Sequence, residues 1–245
     1  MRKRVLVPLL LLLVLLCGLP AVAAQLASKP ATNSECVVLL HGLARTEKAM
    51  RPLADALNAN GYKAVNLGYP STKASIEQLA EPAIKKALAQ CPAGKLINFV
   101  SHSMGGIILR QYLSQNSIAT MGRVVMLAPP NKGSEVVDTL HKMPGYHWLN
   151  GPAGLQLGTG ANSVPLRLGP ANFKLGVIAG TSTFNPILSL MLPNPDDGKV
   201  SVASTTLEGM SDHISMPVTH TFMMRNDDVI KQVLHFLKHG AFLKP

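Results

Sequence analysis

The chain has 245 residues, of which 47% are hydrophobic and 15% are charged, and its formal net charge is +10 at pH 7. These values exclude an intrinsically disordered protein, and the length suits a single globular domain. The basic residues are scattered rather than clustered with aromatic side chains, so we expect no nucleic-acid partner.

Residues 1–24 have the pattern of a secretory signal peptide. A basic segment at 2–4 precedes an apolar run at 5–17, and small residues at 21–24 offer a cleavage site. An uncleaved membrane anchor is the alternative, but the apolar run is short for a hydrocarbon core about 30 Å thick. We therefore expect export to the periplasm or the medium, followed by one domain over residues 25–245.

Predicted strands and helices alternate from residue 36 onward. Short apolar runs of the kind found in strands buried on both faces occur at residues 36–41, 63–67, 96–100, 123–128, 175–180 and 214–218. Apolar side chains at helical spacing predict helices at residues 50–57, 76–88, 105–113 and 229–238. This alternation predicts an α/β fold, with a mostly parallel sheet of about six strands flanked by helices.

The segment over residues 131–172 is rich in glycine and proline, which predicts a loop-rich excursion rather than a second domain. Its apolar side chains are candidates for the wall of a pocket or for a small lid. They are Met143, Tyr146, Trp148, Leu149, Leu155 and Leu157. A satellite hydrophobic cluster beneath a long loop is the alternative interpretation.

Residues 99–106, with the sequence FVSHSMGG, lie where the third predicted strand ends and a helix begins. Ser103 has the position of the serine in a nucleophile elbow, G-x-S-x-G, where the residues two before and two after the serine must be small. Gly105 keeps the second small position, whereas Ser101 replaces the first glycine. A surface turn would explain the pentapeptide alone, but the strand before it and the helix after it favour the elbow.

The sequence LHGL at residues 40–43, at the end of the first predicted strand, predicts an oxyanion hole. Such a site uses two backbone N–H groups, one after the nucleophile and one from a neighbouring loop. Met104 and Leu43 are the two candidates. His41 precedes the serine and belongs to the His-Gly pair, so we interpret it as a structural residue that shapes the loop.

The candidate general base is His220, which follows the last predicted strand and precedes the final helix. A loop there lies at the carboxyl edge of the sheet and can reach the serine. His213, at the opposite end of the same strand, is the alternative. The acid should lie between serine and histidine; Asp197 is favoured because the glycine after it permits a turn, and Asp196 stays open because spacing cannot separate two neighbouring aspartates.

The other histidines have less specific patterns. His102 adjoins Ser103, but on a tight turn its side chain should point away from the serine. His235 and His239 are spaced i, i+4 in the last predicted helix without an acidic or cysteine partner, so an exposed helix face is favoured over a metal pair. We expect no metal and no organic cofactor.

These motifs resemble those of α/β-hydrolases of the bacterial lipase and esterase group, and in particular compact secreted lipases with a His-Gly-Leu oxyanion loop. The resemblance extends from about Cys36 to Phe242. It rests on residues 37–43, 100–106, 197–198 and 218–220. It implies cleavage of carboxylic esters of lipids through a serine acyl-enzyme, with catalytic residues Ser103, His220 and Asp197. Two departures are Ser101 in place of glycine and about six strands where the full family fold has eight.

The implied partner is a small-molecule or lipid ester, with transient contact to a membrane surface; the sequence predicts no oligomeric state. A thioesterase or acyltransferase would use the same triad, and a non-catalytic binding module on the same fold is a further alternative. Turnover of ester, thioester and alcohol acceptors would separate the first two, and a fluorophosphonate probe would reveal the third.

In the fold that the sequence resembles, the strands at residues 36–41 and 96–100 are parallel neighbours. Cys36 and Cys91 would then lie at the amino-terminal edge of the sheet, opposite the catalytic edge. Adjacent strands are about 4.8 Å apart, and a disulfide tolerates Cα separations of roughly 4.4 to 6.8 Å. Export would place both thiols in an oxidising compartment, so we predict a disulfide, with two buried free thiols as the alternative.

Overall fold

Six parallel strands form one sheet in the computed structural model, which describes residues 35–244. The predicted signal peptide over residues 1–24 lies outside the described residues. The strands are β1 (Cys36–Leu40), β2 (Lys63–Asn66), β3 (Ile97–His102), β4 (Met121–Leu127), β5 (Leu175–Gly180) and β6 (Asp212–Met216). Their order across the sheet is β2-β1-β3-β4-β5-β6. The α/β class and the number of strands predicted from the sequence are therefore confirmed.

Helices cover both faces of this sheet. They are α1 (Arg51–Ala59), α2 (Ile76–Leu88), α3 (Met104–Leu113), α4 (Glu135–Leu140), α5 (Tyr146–Leu155), α6 (Val164–Arg167), α7 (Pro186–Ser189), α8 (Val202–Thr205) and α9 (Asp227–His239), with 3₁₀ turns at Glu47–Met50 and Met223–Arg225. Within residues 35–244, no helix combines the length and the hydropathy of a membrane-spanning segment.

The alternation of side chains along each strand divides the core into two layers. In β1, Val38 and Leu40 pack with α2 and α3, whereas Val37 and Leu39 pack with α1 and α9. Every residue of β1 is buried, as expected for a parallel strand covered on both faces.

The sheet order places the functional loops. The chain runs from β1 outward to β2 and then crosses back to β3, so β1 and β3 are neighbours in the sheet. Leu40, the last residue of β1, pairs with Ser101 near the end of β3. The loops that follow these two strands therefore begin side by side at the carboxyl edge, where open α/β sheets bind their ligands.

Two parts of the predicted element pattern differ from the structure. The last strand begins at Asp212 rather than at residue 214, because β6 is an edge strand on which half-exposed polar residues are tolerated. The excursion over residues 131–172 contains three short helices, α4 to α6, which glycine and proline obscured in the sequence pattern. Pro152 and Pro165 both lie inside these helices.

Cys36 and Cys91 form a disulfide with a Cα–Cα distance of 5.6 Å. Cys36 begins β1 and Cys91 lies before β3, so the bridge is at the amino-terminal edge of the sheet, opposite the loops that follow β1 and β3.

Removal of this bridge should lower the free energy of unfolding by about 4 kcal/mol, because the chain-entropy model assigns that value to a loop of this size. The bridge closes a separation of 55 residues. Chemical denaturation of the oxidised and the reduced protein would measure the difference, and the variant with both cysteines replaced by alanine should behave like the reduced protein. Equal denaturation midpoints for all three would contradict the prediction.

Candidate active site

Ser103 occupies a strained turn between β3 and α3. Its φ of 53° and ψ of −126° are unfavourable for a residue other than glycine, and such strain is typical of functional sites. A Cβ atom at Gly105 would lie 2.5 Å from the carbonyl oxygen of Leu40 and 2.8 Å from that of His41. Glycine at this position therefore lets the elbow pack directly against the loop that follows β1.

Ser101, which replaces the first glycine of the elbow, has room for its side chain because Gly106 beside it carries none. The side chain of Ser101 is fully buried, and a Cβ atom added at Gly106 would lie 3.3 Å from its Oγ. The Oγ has no hydrogen-bond partner among the residues that the structure describes. The departure from the motif therefore leaves the turn intact but buries an unsatisfied hydroxyl.

Replacement of Ser101 by alanine should stabilise the protein, because an unsatisfied buried hydroxyl costs roughly 1–3 kcal/mol. The melting temperature, followed by circular dichroism, should rise by a few degrees, since 1 kcal/mol corresponds to about 2–4 °C in a domain of this size. Ser75→Ala is the matched control and should lower it, because Ser75 Oγ caps α2 by accepting from the Gln78 N–H. A lower melting temperature for Ser101→Ala would contradict this account.

Three of the sequence-predicted residues form a hydrogen-bonded chain. His220 Nε2 lies 3.0 Å from Ser103 Oγ, and His220 Nδ1 lies 2.7 Å from Asp197 Oδ2. The other oxygen of Asp197, Oδ1, accepts hydrogen bonds from the backbone N–H groups of Lys199 and Val200, at 3.0 and 2.8 Å. The carboxylate is thus fixed so that Nδ1–H of His220 donates to it, which leaves Nε2 free to accept the serine proton.

The structure also separates the two neighbouring aspartates. Asp196 is buried, but its Oδ2 accepts a hydrogen bond of 2.6 Å from Ser189 Oγ and its Oδ1 accepts one of 2.7 Å from the Gly198 N–H. Its carboxylate therefore faces α7 rather than His220. The alternative base, His213, lies on β6 with its Nε2 3.0 Å from Thr205 Oγ1, and it has no contact with Ser103.

His102 contacts the candidate base rather than the serine. Its Nε2–H donates a hydrogen bond of 2.9 Å to the backbone carbonyl of His220, and the two ring centroids are 4.7 Å apart. Burial, with the charge of His220 as a second cause, holds the pKa of His102 well below its usual value. His102 therefore stays neutral and fixes the backbone of His220, a contact that the sequence did not predict.

His41 shapes the loop after β1, in agreement with its predicted structural role. Its Nε2 accepts from the Tyr69 N–H at 3.2 Å, its Nδ1–H donates to the carbonyl of Gly42 at 2.9 Å, and its ring stacks on Tyr69 at 4.1 Å. The Tyr69 hydroxyl in turn donates to the His41 carbonyl at 2.6 Å. Further along the loop, Ala44 has a φ of 53° and donates its N–H to Ser71 Oγ at 3.1 Å. Tyr69 and Ser71 were missed by sequence reasoning.

The two candidate oxyanion donors are available. Neither Leu43 nor Met104 donates its backbone N–H to another residue within the described range 35–244. Met104 is the first residue of α3, where an N–H has no partner within the helix and the helix dipole favours negative charge. A Cβ atom at Gly42 would lie 3.1 Å from Ser103 Cβ, so the loop that carries Leu43 lies against the serine.

A cavity of about 720 Å³ opens beside Ser103 and His220. Five of the six candidate wall residues of the excursion line it, namely Met143, Tyr146, Trp148, Leu149 and Leu157. Leu155 does not. Side chains from α4 and α7 that the sequence did not indicate complete the apolar wall: Val136, Val137, Leu140 and Leu188.

The parallel sheet, the elbow between β3 and α3 and the loop order define an α/β-hydrolase fold. Among solved structures with this fold is the mature lipase BlEst2 of Bacillus licheniformis, at 20% identity and a TM-score of 0.65, with 85% of this chain and 91% of that chain covered. Phospholipase PlaB of Legionella pneumophila is similar at 15% identity and a TM-score of 0.68, and the match covers 84% of this chain and 59% of that chain.

A third similar structure is the metagenomic carboxyl esterase MGS0156, at 20% identity and a TM-score of 0.60, with 78% of this chain and 65% of that chain covered. No protein-family model and no curated protein matches the chain. The six-stranded parallel sheet and the three similar structures confirm the predicted α/β-hydrolase fold class.

Proposed function

We propose that the protein is a serine hydrolase that cleaves carboxylic esters with an acyl chain, lipid esters in particular. The observation that carries this proposal is the chain of hydrogen bonds from Asp197 through His220 to Ser103, at the mouth of an apolar cavity. A nucleophile, a base within reach of it and a carboxylate that orients the base are the three parts that acyl transfer requires.

In the proposed reaction, Ser103 Oγ attacks the ester carbonyl while His220 Nε2 takes its proton. The Asp197 carboxylate stabilises the imidazolium, and the N–H groups of Leu43 and Met104 bind the oxyanion of the tetrahedral intermediate. His220 then gives the proton to the leaving alcohol. Water, activated by the same histidine, cleaves the acyl-enzyme and regenerates the serine.

The character of the cavity supports an acyl substrate. Its wall is built mainly from aliphatic and aromatic side chains of α4, α5 and α7. Large apolar side chains also remain exposed beside it: Trp148 of α5 lines the cavity and is 88% exposed, and Leu190, which directly follows α7, is 87% exposed. Such surface is costly in water unless lipid covers it, which favours an amphiphilic substrate and contact with a lipid surface. The similar lipase and phospholipase structures agree with this choice, and the disulfide agrees with the proposed export.

A panel of p-nitrophenyl esters from acetate to palmitate tests the proposal, with a matched acyl thioester as an additional substrate. We expect turnover of the esters, with a higher kcat/KM for an acyl chain longer than acetate. Absence of turnover for every ester would overturn the proposal, and preference for the thioester by a large factor would reassign the reaction.

The excursion over residues 131–172 should determine which acyl-chain lengths the protein prefers in its ester substrates. Replacement of both Met143 and Leu149 by alanine removes apolar surface from the wall and should lower the ratio of long-chain to acetate kcat/KM by roughly tenfold, equivalent to about 1.4 kcal/mol of apolar contact. Leu155→Ala is the control, because Leu155 belongs to α5 but does not line the cavity. The hypothesis fails if the ratio is unchanged in the double variant, or falls equally in the control.

A further inference from the structure

The cavity beside Ser103 has a cationic part. Arg45 and Lys199 line it, and they are the only arginine and lysine that do so among residues 35–244. No carboxylate of the described residues lines the cavity. A largely apolar cavity with two cations and no anion is matched in charge to a substrate that is both apolar and anionic.

Neither of these two cations is in an ion pair with a carboxylate of residues 35–244. Neither side chain forms an ion pair or a hydrogen bond with another described residue. Both side chains retain access to solvent, Arg45 in part and Lys199 to a greater extent. Desolvation by the surrounding protein and then the charge of Arg45 lower the pKa of Lys199, against the opposing influence of Asp197. Two cations that line one cavity without an ion-pair partner favour the binding of an anion there.

The backbone segments that carry the two cations adjoin His220 and its partner Asp197, and the leaving alcohol must lie beside His220. In the proposed reaction His220 protonates that alcohol, so the alcohol lies next to the histidine. Lys199 follows Asp197, the partner of His220, by two residues, and its backbone N–H is bound to that carboxylate. Arg45 lines both the main cavity and a small cleft beside Thr221 and Phe222, which directly follow His220.

The acyl side of the site has a different character. The wall built from α4 and α5 is mostly apolar and includes Val137, Leu140 and Leu149. An acyl chain would lie along this wall, which leaves the cationic part for the other half of the ester.

We propose that Arg45 and Lys199 bind an anionic group on the alcohol portion of the ester, so that the site prefers acyl esters of a phosphate-bearing alcohol over neutral esters with the same acyl chain. This inference rests on the proposed function and adds to it the class of alcohol. Arginine and lysine are the side chains that bind phosphate oxygens most effectively, through charge-assisted hydrogen bonds. In a glycerophospholipid the phosphate is only a few bonds from the ester, so one molecule can reach both parts of the cavity.

The test compares kcat/KM for two substrates with the same short acyl chains, a diacyl phosphatidylglycerol and the neutral diacylglycerol, both below their aggregation concentrations. We expect the wild-type protein to prefer the phosphate ester. The double variant Arg45→Gln and Lys199→Gln should lower the ratio of the two kcat/KM values by roughly tenfold or more, since charge-assisted hydrogen bonds are among the strong ones. Added salt should reduce the wild-type ratio, because the groups are partly exposed.

A charge-matched control is the double variant Lys48→Gln and Lys132→Gln, which removes two exposed cations that do not line the cavity. Its ratio should equal that of the wild type. A p-nitrophenyl hemisuccinate, compared with the neutral butyrate, places a carboxylate on the acyl side instead, and we expect no preference for it.

The outcomes separate this inference from the proposed function. Hydrolysis of both glycerol esters with equal kcat/KM, or an unchanged ratio in the Arg45 and Lys199 double variant, would overturn the anion site and leave the ester hydrolase intact. Preference for the hemisuccinate would assign the cations to the acyl side and overturn the proposed orientation. Absence of hydrolysis of every ester would overturn both proposals.

Discussion

Replacement of Ser103 by alanine should abolish ester hydrolysis, and replacement of His220 by alanine should lower kcat by a factor on the order of 10⁴ or more. In the proposed reaction the serine provides the attacking oxygen, and among residues 35–244 His220 Nε2, at 3.0 Å, is the acceptor for its proton. Because triad members act as a unit, the Ser103 and His220 double variant should be no worse than either single variant. Hydrolysis of p-nitrophenyl butyrate by the purified proteins measures these losses.

Two controls separate loss of catalysis from loss of folding. Alanine at position 103 keeps a small side chain in the same strained backbone conformation, so the melting temperature should remain close to that of the wild type. His213→Ala removes the alternative base, which interacts with Thr205 and not with Ser103, and should keep most of the activity. Near-normal hydrolysis by Ser103→Ala, or a loss in His213→Ala as large as in His220→Ala, would refute the assignment.

Asp197→Asn should lower kcat by about 10⁴ near pH 7, because it imposes the wrong tautomer on the histidine. Two backbone N–H groups point at Asp197 Oδ1, so the amide oxygen of asparagine will occupy that position. The amide NH₂ then faces His220 Nδ1, which must accept instead of donate. The ring proton moves to Nε2, where it blocks transfer of the proton from Ser103.

Asp196→Asn is the matched control, since it makes the same chemical change one residue away. Asp196 accepts from Gly198 N–H and Ser189 Oγ, and an asparagine can retain the first bond while the serine hydroxyl turns to accept from its NH₂. We expect activity within about tenfold of the wild type, which is far above the level of Asp197→Asn. The reverse ranking would transfer the acid role to Asp196.

The sequence predicted the parts of the fold that depend on local pattern. β1 and β5 are buried along their whole length, and β3 and β4 over all but their first residues, so the apolar composition of these runs marks them as strands. The helix predicted at residues 76–88 is α2, which in the structure begins after a capping box formed by Ser75 and Gln78.

The helices of the excursion could not be predicted in the same way. α5 contains Gly151, with a φ of 65°, and Pro152 directly after it, both of which interrupt a helical pattern. A Cβ atom at Gly151 would lie 1.9 Å from the carbonyl oxygen of Thr72, so this glycine is required by a contact between segments distant in sequence. Tertiary contact, rather than local propensity, sets the form of this segment.

The candidate site also has parts that could be predicted from the sequence and parts that could not. Ser103, His220 and the His-Gly loop follow strands, so their places at one edge of the sheet could be derived from the strand order of the fold that the sequence resembles. The choice between Asp196 and Asp197 depends on the direction of two adjacent side chains, which spacing does not specify. Tyr69 contacts His41, and His102 contacts His220, across segments that are far apart in the chain. No local sequence pattern indicates such contacts.

The most direct test of the account is to label the protein with a fluorophosphonate and to locate the adduct by peptide mass spectrometry. The phosphonyl group reacts with a serine that is activated in the way proposed for Ser103, by a histidine at hydrogen-bond distance and beside two available N–H donors. In the wild-type protein we predict a single adduct, on Ser103. The Ser103→Ala variant should carry no adduct, on Ser101 or on any other residue. The His220→Ala variant should be labelled much more slowly than the wild type. Stoichiometric labelling at another serine, or no labelling of the folded wild-type protein, would contradict the central claim that Ser103 is a catalytic nucleophile.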